Sequence, residues 1–498
     1  MPEAAAAAAP ASADRARWQA FAVCVSVAAL TILDLSKVNV ALPSIEASLG
    51  AGSTELQLIV AGYALAYGLA LVPSGRLGDL YSRRTMFIIG LTAFTATSTV
   101  CALAPNVQLL VIGRILQGVA AGIQMPQVIG LVQQLFQGEA RARAFGAFGA
   151  TVGITTALGP TLGGVLIAIG GPTDGWRWLF WMNVPLGLAA IWFAARLLPR
   201  TRSSDAQARQ LDPIGILLLG ITTFSLLLPF VLTTGSPSDD PRRWLWLGGM
   251  IFGGAAFVLW ENRYKRGGRS PLVDFGLFRR TSYRDGILIA GVYFAAAPSM
   301  FLLNTLFLQE GLGLQPVFAG MVTIPFALAS AVSAWVGGRL VLRIGRLLVV
   351  IGLCAVIAGF LLAALAATLP PAGLSPWLIS AAMLLAGSGA GFVISPNQTL
   401  TLADVPLREA GVAGSLAQVA QRVGTAIGTA AVSAAFFSTI YREDGTQQQL
   451  VEYHDAYRGA VLIVLALVAA ALALSLLDLL LRRHGTQTDP VAPAVETD

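Results

Sequence analysis

Apolar stretches of about 20 residues recur along the whole chain. A helix of that length just crosses a hydrocarbon core of about 30 Å. Charged residues make up only 12% of the chain, whereas about 25% is usual in soluble domains, and the mean hydropathy is +0.72. These long, nearly uncharged stretches predict an all-α, polytopic membrane protein.

The stretches predict fourteen spans, separated by short connections rich in Gly, Pro or charged residues. Their expected ranges are 18–45, 54–75, 84–104, 107–134, 141–169, 176–197, 212–233, 243–262, 283–309, 316–339, 346–368, 375–401, 408–437 and 456–481. We expect a six-helix bundle at 18–200, two inserted helices with a linker at 201–282, and a second six-helix bundle at 283–483. The tails at 1–17 and 484–498 are predicted to be disordered because they are low in complexity or polar.

Internal similarity indicates that the two bundles are related. Segment 75-GRLGDLYSRR-84 is matched by 338-GRLVLRIGRL-347, and the glycine-rich 151-TVGITTALG by 422-RVGTAIGTA. Such repeats predict two halves in a pseudo-twofold arrangement, with the spans at 212–233 and 243–262 inserted between them. Related halves of this kind are typical of transporters whose central site lies between two bundles that rock against each other.

Basic residues concentrate in every second connection if the N-terminus is cytoplasmic, and examples are Arg76, Arg83, Arg84, Arg141, Arg143 and the cluster from Arg263 to Arg284. This asymmetry predicts a multi-pass protein of the cytoplasmic membrane with both termini in the cytoplasm. It also explains the net charge of +6 without a nucleic-acid partner. The sequence has no G-x-x-x-x-G-K loop, so an ion gradient must supply the energy, and its two histidines argue against a metal site.

Four charged residues fall inside apolar spans, where a charge costs about 2.5–3.5 kcal/mol on insertion scales; the fourth is Arg422. Asp34 and Lys37 share one helix face, and Arg114 lies mid-span with Gln117 one turn on. We hypothesise that Asp34 takes a coupling proton, and that Lys37 tunes it or contacts an anionic group on the substrate. The alternative is a static salt bridge that fixes the first helix. For Arg114 the choice is between a functional role and structural pairing.

Five segments, in order, resemble motifs of the major facilitator superfamily: 33-LDLSKVNVALP-43, 75-GRLGDLYSRR-84, 111-VIGRILQGVAAG-122, 153-GITTALGPTLGG-164 and 176-WRWLFWMNVPLG-187. The first and last look like hallmarks of its fourteen-span drug:proton antiporter branch. The resemblance implies a twelve-helix core with two additional central helices. It also implies export of amphipathic drugs and antibiotics in exchange for protons by alternating access, with no enzymatic activity and no cofactor. It further implies a role of Arg114 in proton coupling, a lipid bilayer as surroundings and a monomer. Lys37 departs from the family, in which an apolar residue is usual.

Two of these segments predict gating residues. Gly75 permits a tight backbone, and Arg83 and Arg84 are placed to bind Asp79 and helix-end carbonyls, although they can also merely mark topology. Leu342 takes the place of Asp79 in the second half, so we expect a weaker latch there. A second group of small residues and one proline predicts a smooth, bent helix that slides between the halves, or simply packs tightly; it comprises Gly153, Gly159, Pro160 and Gly163.

Polar and aromatic residues in the spans are candidates for a central substrate cavity. They are Tyr63, Tyr67, Gln117, Gln124, Met125, Asn304, Gln309, Asn397, Gln398, Gln418 and Arg422. A lipid exporter of the same fold is the alternative function. The inserted spans can form a hairpin beside the bundle, and Lys37 with Arg422 can hold an anionic lipid headgroup. A membrane enzyme is disfavoured, because no nucleophile–base constellation or sizeable soluble domain is present.

Overall fold

The computed structural model describes residues 3–171, 173–200, 212–233, 239–368, 373–443 and 449–485, and in these it is built from α-helices without a β-strand. The first half contains α1 (Glu3–Leu49), α2 (Ser53–Leu80), α3 (Arg83–Ala102), α4 (Val107–Leu135), α5 (Gly138–Gly170), α6 (Gly175–Trp181) and α7 (Asn183–Leu197). The insertion contains α8 (Pro213–Val231) and α9 (Trp246–Arg266). The second half contains α10 (Thr281–Leu306), α11 (Pro316–Met321), α12 (Ile324–Ile344), α13 (Arg346–Thr368), α14 (Ser375–Thr401), α15 (Ala410–Glu443) and α16 (Gln449–Gly485).

Thirteen helices of the described chain are long and apolar enough to cross a membrane. The fourteenth is α5, whose parts Gly138–Thr156 and Thr161–Gly170 are inclined by 45°. Two spans are broken: α6 with α7 makes one, and α11 with α12 makes another. The predicted all-α class and fourteen-span organisation are therefore confirmed.

The first span differs from its prediction at the N-terminal end. Residues 1–17 are predicted as a disordered tail, yet α1 begins at Glu3. The segment is rich in alanine, which has the highest helix propensity of all residues, so α1 extends N-terminally of the candidate membrane span, which begins at Asp14. Most of the predicted C-terminal tail lies outside the described residues, and the limits of the bundles stay predictions.

The structure has two large apolar cores, one centred on the first half and continuing across to Tyr283 and Leu402, the other within the second half. Phe87, Phe94 and Phe145 belong to the core of the first half, and Met300 and Phe360 to that of the second. Helix pairs α2–α15 and α5–α12 join the halves. This places a seam along the middle of the molecule, with equivalent helices on its two sides.

The inserted helices lie beside that seam. Helices α8 and α9 pack against each other, and α8 also contacts α2 of one half and α15 of the other. Asp212 begins α8 by accepting a hydrogen bond from the Gly215 backbone N–H at 2.9 Å. The insertion therefore contacts both halves without interrupting either core.

Candidate functional site

A buried ion cluster lies inside the first half. Asp34 accepts a hydrogen bond from Arg114 at 2.6 Å through Oδ2, and its Oδ1 lies 3.4 Å from the Lys37 ammonium. Asn183 donates to Asp34 Oδ1 at 2.7 Å and accepts from Lys37 Nζ at 2.6 Å. Asp34 and Lys37 are 0% exposed, and Arg114 is 1% exposed. Helices α1, α4 and α7 thus bring one carboxylate and two cations together away from lipid.

Arg114 holds this cluster to the surrounding helices. It donates to Gln117 Oε1 at 2.7 Å and to the Ile59 carbonyl of α2 at 3.3 Å. Gln117 in turn donates to Ser98 of α3 at 2.7 Å. The guanidinium carbon lies 4.1 Å from the centre of the Tyr63 ring, a distance at which a cation–π contact is favourable.

Asn183 and Ser98 were missed by the sequence reasoning. Asn183 is uncharged. Its free-energy cost in an apolar span is therefore smaller than that of Asp34 or Arg114, and the sequence alone does not draw attention to it. The available signal was its position in 176-WRWLFWMNVPLG-187, a segment noted only for its family resemblance. Ser98 also donates to the Phe94 carbonyl at 2.8 Å, as serines in ordinary helices do, which hides its other contacts.

A cleft lies beside the cluster, between the halves. It has a volume of about 270 Å³, part of it open to solvent, and is lined by Thr31, Ile32, Leu35, Tyr63, Ala64, Tyr67 and Arg422. Tyr67 donates to Gln418 of α15 at 2.5 Å, and the Arg422 guanidinium lies 4.8 Å from the centre of the Tyr67 ring. The cleft wall therefore contains three predicted substrate residues, Tyr63, Tyr67 and Arg422. A fourth, Gln418, is bonded to Tyr67. Because Tyr63 also contacts Arg114, it links the cleft to the ion cluster.

Two more candidates line a separate cavity inside the second half. This cavity encloses about 380 Å³, and its lining includes Asn397, Gln398, Tyr293 and Gln421. Asn397 accepts a hydrogen bond from Arg346 at 2.7 Å and donates to the Gly286 carbonyl at 2.8 Å. The amide of Asn397 is thus occupied by contacts within its own half.

Several candidates do not face the central cleft. Gln117 is bonded within the ion cluster, Gln124 donates to Thr31 at 2.6 Å, and Met125 packs in the core of the first half. Asn304 accepts from Tyr457 at 2.7 Å inside the second half. Gln309 lies in the π-helical turn Phe307–Gly311. Polar side chains in a span can find partners inside one bundle, and a list based on polarity alone cannot separate these from cavity residues.

The halves are latched where α2 ends, which we call the Asp79 side. Asp79 accepts from Arg83 at 2.9 Å, and from the backbone N–H groups of Gly411 and Val412 at 3.0 Å each. These N–H groups belong to the first turn of α15, where the positive end of the helix dipole also favours a carboxylate. Arg83 further donates to the Leu407 carbonyl of the second half. The first-half charges thus reach directly across the seam.

The two arginines divide the partners predicted for them. Arg84 does not bind Asp79, as Arg83 does; it donates to a helix-end carbonyl, that of Ala195 in α7, at 2.5 Å within the first half. The loss of helix-end hydrogen bonds leaves that carbonyl free to accept, so Arg84 fastens α3 to α7. Gly75, by contrast, lies at the seam, since a Cβ there would approach the Gly411 carbonyl oxygen of α15 to 2.6 Å.

The glycine face of α5 is divided between two neighbours. Gly153 faces Ala327 of α12 across the seam, whereas Gly159 packs on Ser36 and Gly163 on Lys37, both in α1 of the same half. The expected sliding contact between halves therefore fails for Gly159 and Gly163. The bend in α5 turns its second part away from α12 and towards α1. The Pro160 side chain lies outside the described residues.

The second half has a charge pair of a different kind. Arg346 at the start of α13 lies 2.8 Å from Asp478 of α16 and donates to the Ser282 carbonyl of α10 at 2.9 Å. Leu342, which stands in the place of Asp79, is exposed. The second-half pair thus joins helices of one bundle and does not cross the seam. Sequence reasoning missed Asp478 because it lies four residues before the basic end of α16.

An all-helical bundle with two related halves, a cleft at their seam and buried ions beside that cleft defines a membrane transporter and not an enzyme. The chain belongs to the Major Facilitator Superfamily, whose sequence model matches residues 24–429.

Named relatives support this assignment. The chain is 34% identical over 429 residues to a probable actinorhodin transporter of Streptomyces coelicolor, covering 85% of this chain and 73% of the relative. It is 31% identical over 473 residues to the multidrug resistance protein Stp of Mycobacterium tuberculosis, covering 94% and 84%. A crystal structure of the human organic anion transporter MFSD10 aligns with a TM-score of 0.62 at 14% identity, over 90% of this chain and 99% of that one, which shows the shared fold.

Proposed function

We propose that this transporter exports amphipathic small molecules, such as drugs and antibiotics, in exchange for protons by alternating access. The main support for this proposal is the contact of Arg114 with Tyr63, because it joins a buried titratable cluster to the cleft wall. A transporter that exchanges protons for cargo needs these two sites to influence each other. The relatives named for actinorhodin transport and multidrug resistance support export of this substrate class.

The residues that line the cleft are chemically suited to amphipathic substrates. Ile32, Leu35 and Ala64 provide apolar wall, while Tyr63 and Tyr67 provide aromatic surface with hydroxyl groups. Binding sites for small molecules combine mostly apolar walls with few polar groups in this way. The cluster of Asp34, Lys37 and Arg114 then serves proton coupling, and Asp79 with Arg83 serves as the gate.

We place the protein in the cytoplasmic membrane, as a single working chain with both termini in the cytoplasm. The support is the concentration of arginines in every second connection. The Asp79 side then faces the cytoplasm, and the proton gradient replaces any cofactor. Alternating access follows when the Asp79 latch opens while the opposite side closes.

Reconstituted protein tests the proposal. Liposomes with an acidic lumen, so that protons flow outward, should accumulate ethidium, and a proton ionophore should abolish this uptake. Asp34→Asn should lose at least nine-tenths of the uptake rate. Asp174→Asn is the matched control, because it makes the same change in an exposed ion pair with Arg177. Uptake indifferent to the gradient, for ethidium and for a panel of amphipathic antibiotics, would refute proton-coupled export.

Lipid export is the second candidate. It is favoured by α8, which contacts both α2 and α15 beside the seam, and by Arg422, which has no carboxylate partner among the described residues. An anionic headgroup can be held by such a cation. Translocation of a fluorescent phosphatidylglycerol in the same liposomes, without any ethidium transport, would select this function.

A further inference from the structure

The buried cluster is unbalanced in charge. Asp34 is the one carboxylate, and among the described residues it is the only acidic group in ion-pair contact with Lys37 or Arg114. With all three groups ionised, a net positive charge lies in a region that is at most 1% exposed. An uncompensated buried charge is strongly unfavourable, so one group is under pressure to change its protonation state.

The three groups differ in how they can respond. Arg114 keeps its proton at any physiological pH. Protonation of Asp34 would remove the only anion between two cations, and so would deepen the imbalance. Release of the Lys37 proton leaves a neutral cluster with the Asp34–Arg114 pair intact at 2.6 Å. We propose that Lys37, and not Asp34, binds and releases the coupling proton, an inference that rests on the proposed proton-coupled export.

The hydrogen bonds around Lys37 suit both of its protonation states. Asn183 uses its Nδ2 to donate to Asp34 at 2.7 Å and to Ser98 at 3.2 Å, so its Oδ1 faces the Lys37 nitrogen. An ammonium or a neutral amine can donate to that Oδ1 at 2.6 Å. The amine therefore keeps a partner after proton release, and no buried donor is orphaned.

The other titratable and charged groups around Lys37 do not supply a second anion. Asp34 lies on its own helix, Arg114 faces it from α4 and Tyr63 approaches from α2. Cys101 lies 3.9 Å from Gln117, from the α3 side. Helix α7 contributes the uncharged Asn183, and α5 contributes Gly163, whose added Cβ would lie 3.1 Å from the Lys37 carbonyl. The glycine brings α5 close enough to cover Lys37 without adding charge.

A proton bound to Lys37 would change the electrostatic potential in the cleft. Arg114 stacks on Tyr63, whose ring centre lies 6.4 Å from that of Tyr67, and Arg422 lies over Tyr67. A positive charge added behind this wall raises the potential in the cleft and disfavours a cationic cargo. Proton and cation thus compete, which is the relation that exchange requires.

The lysine content allows a direct test without a variant at the site. The chain has only two lysines, Lys37 and Lys265. Protein labelled with ¹³C at lysine Cε should give two signals, and Lys265→Arg assigns them. Between about pH 5 and 9 the Lys37 signal should titrate, and the signal of Lys265, an exposed residue 2.7 Å from Asp274, serves as the internal reference. A Lys37 signal that stays at the ammonium position throughout would overturn the assignment.

Proton release on ligand binding separates Lys37 from Asp34. Adding ethidium to weakly buffered wild-type protein at a pH where Lys37 is charged should release up to one proton per site. Lys37→Met should abolish this release, whereas Lys265→Met, the same change at the exposed lysine, should leave it intact. Release that persists in Lys37→Met and disappears in Asp34→Asn would assign the proton to Asp34 instead.

The outcomes also distinguish this inference from the proposed function. If gradient-driven ethidium uptake occurs but Lys37 does not titrate, only the carrier assignment fails. If Lys37 titrates but no substrate moves with the gradient, proton-coupled export fails.

Discussion

Three donors converge on the Asp34 carboxylate from three helices. Lys37 belongs to α1, Arg114 to α4 and Asn183 to α7. Charge-assisted hydrogen bonds of this kind are about twice as strong as neutral ones, and they are stronger still in a medium of low polarity. Asn183 is uncharged and is hydrogen-bonded to both Asp34 and Lys37, so it helps to set the distance between these two groups.

Asn183→Leu should disturb the cluster without changing its charge. Leucine is close in size to asparagine but can neither donate to Asp34 nor accept from Lys37. Leaving such buried groups unpaired costs about 1–3 kcal/mol, so we expect a lower unfolding temperature and at least tenfold slower uptake. Thermal unfolding in detergent and ethidium uptake measure the two effects. Asn262→Leu, on the exposed side of α9, should change neither; normal uptake by Asn183→Leu would show that the bridge is dispensable.

At the scale of the helix, the two halves use the same device. Gly159 and Gly163 let α5 pack on α1, and Gly424 and Gly428 let α15 pack on α10, where added Cβ atoms would meet the Gly291 and Ala295 backbones. Close backbone approach through small residues is how membrane helices associate without a hydrophobic driving force. The related helices α5 and α15 thus make corresponding contacts with α1 and α10, although Gly153, which the internal repeat matches with Gly424, faces α12 across the seam.

Gly159→Ala tests this contact. A Cβ at residue 159 would lie 2.4 Å from Ser36 Cβ, which cannot swing aside. Overpacking of this kind costs about 1–3 kcal/mol, and we expect reduced thermal stability together with impaired uptake. Gly164→Ala is the matched control, because nothing lies within 4 Å of its added Cβ. Equal stability of the two variants would contradict the predicted close packing.

The pair of Arg346 and Asp478 fastens α13 to α16. Asp478→Asn should leave Arg346, which is 6% exposed, without its carboxylate, and removing one partner of a buried pair costs about 3–5 kcal/mol. We expect a clear fall in unfolding temperature, with the uptake of the remaining folded protein preserved. Asp455→Asn alters an exposed pair with Arg458 and should cost less than about 1 kcal/mol. Similar melting of both variants would show that the buried pair contributes nothing.

At the scale of the whole molecule, the sequence predicted the helices and the buried charged residues better than it predicted which residues these contact. Asp34 and Arg114 stand out because charge is costly in an apolar span, but nothing local says that residues 80 positions apart will touch. Gly159 and Gly163 match one motif with Gly153, yet the bend of α5 sends them to another neighbour. Asp478 was overlooked because a carboxylate near a helix end is ordinary. Composition reveals what must be buried, whereas the packing of distant helices decides what each group meets.

The Asp79 latch determines which side of the seam is held together. Its carboxylate accepts two backbone hydrogen bonds from the first turn of α15, beside Arg83. Each hydrogen bond to a charged group contributes about 1.5–3 kcal/mol, and about 1.4 kcal/mol changes a population ratio tenfold. Asp79→Asn keeps the shape but removes the charge, so the balance should move towards conformers that are separated at this side.

Electron spin resonance can measure that separation. Spin labels at Glu139 and Leu342, both exposed near the Asp79-side ends of α5 and α12, report the distance across the seam in a cysteine-free background. We expect Asp79→Asn to add a longer distance population, with slower gradient-driven uptake because the closed state is harder to reach. Asp285→Asn, which alters a pair with Arg284 within the second half, should leave the distances unchanged. An unaltered distance distribution in Asp79→Asn would mean that α5–α12 packing alone holds the halves together, and that the charges crossing the seam do not set the conformational balance.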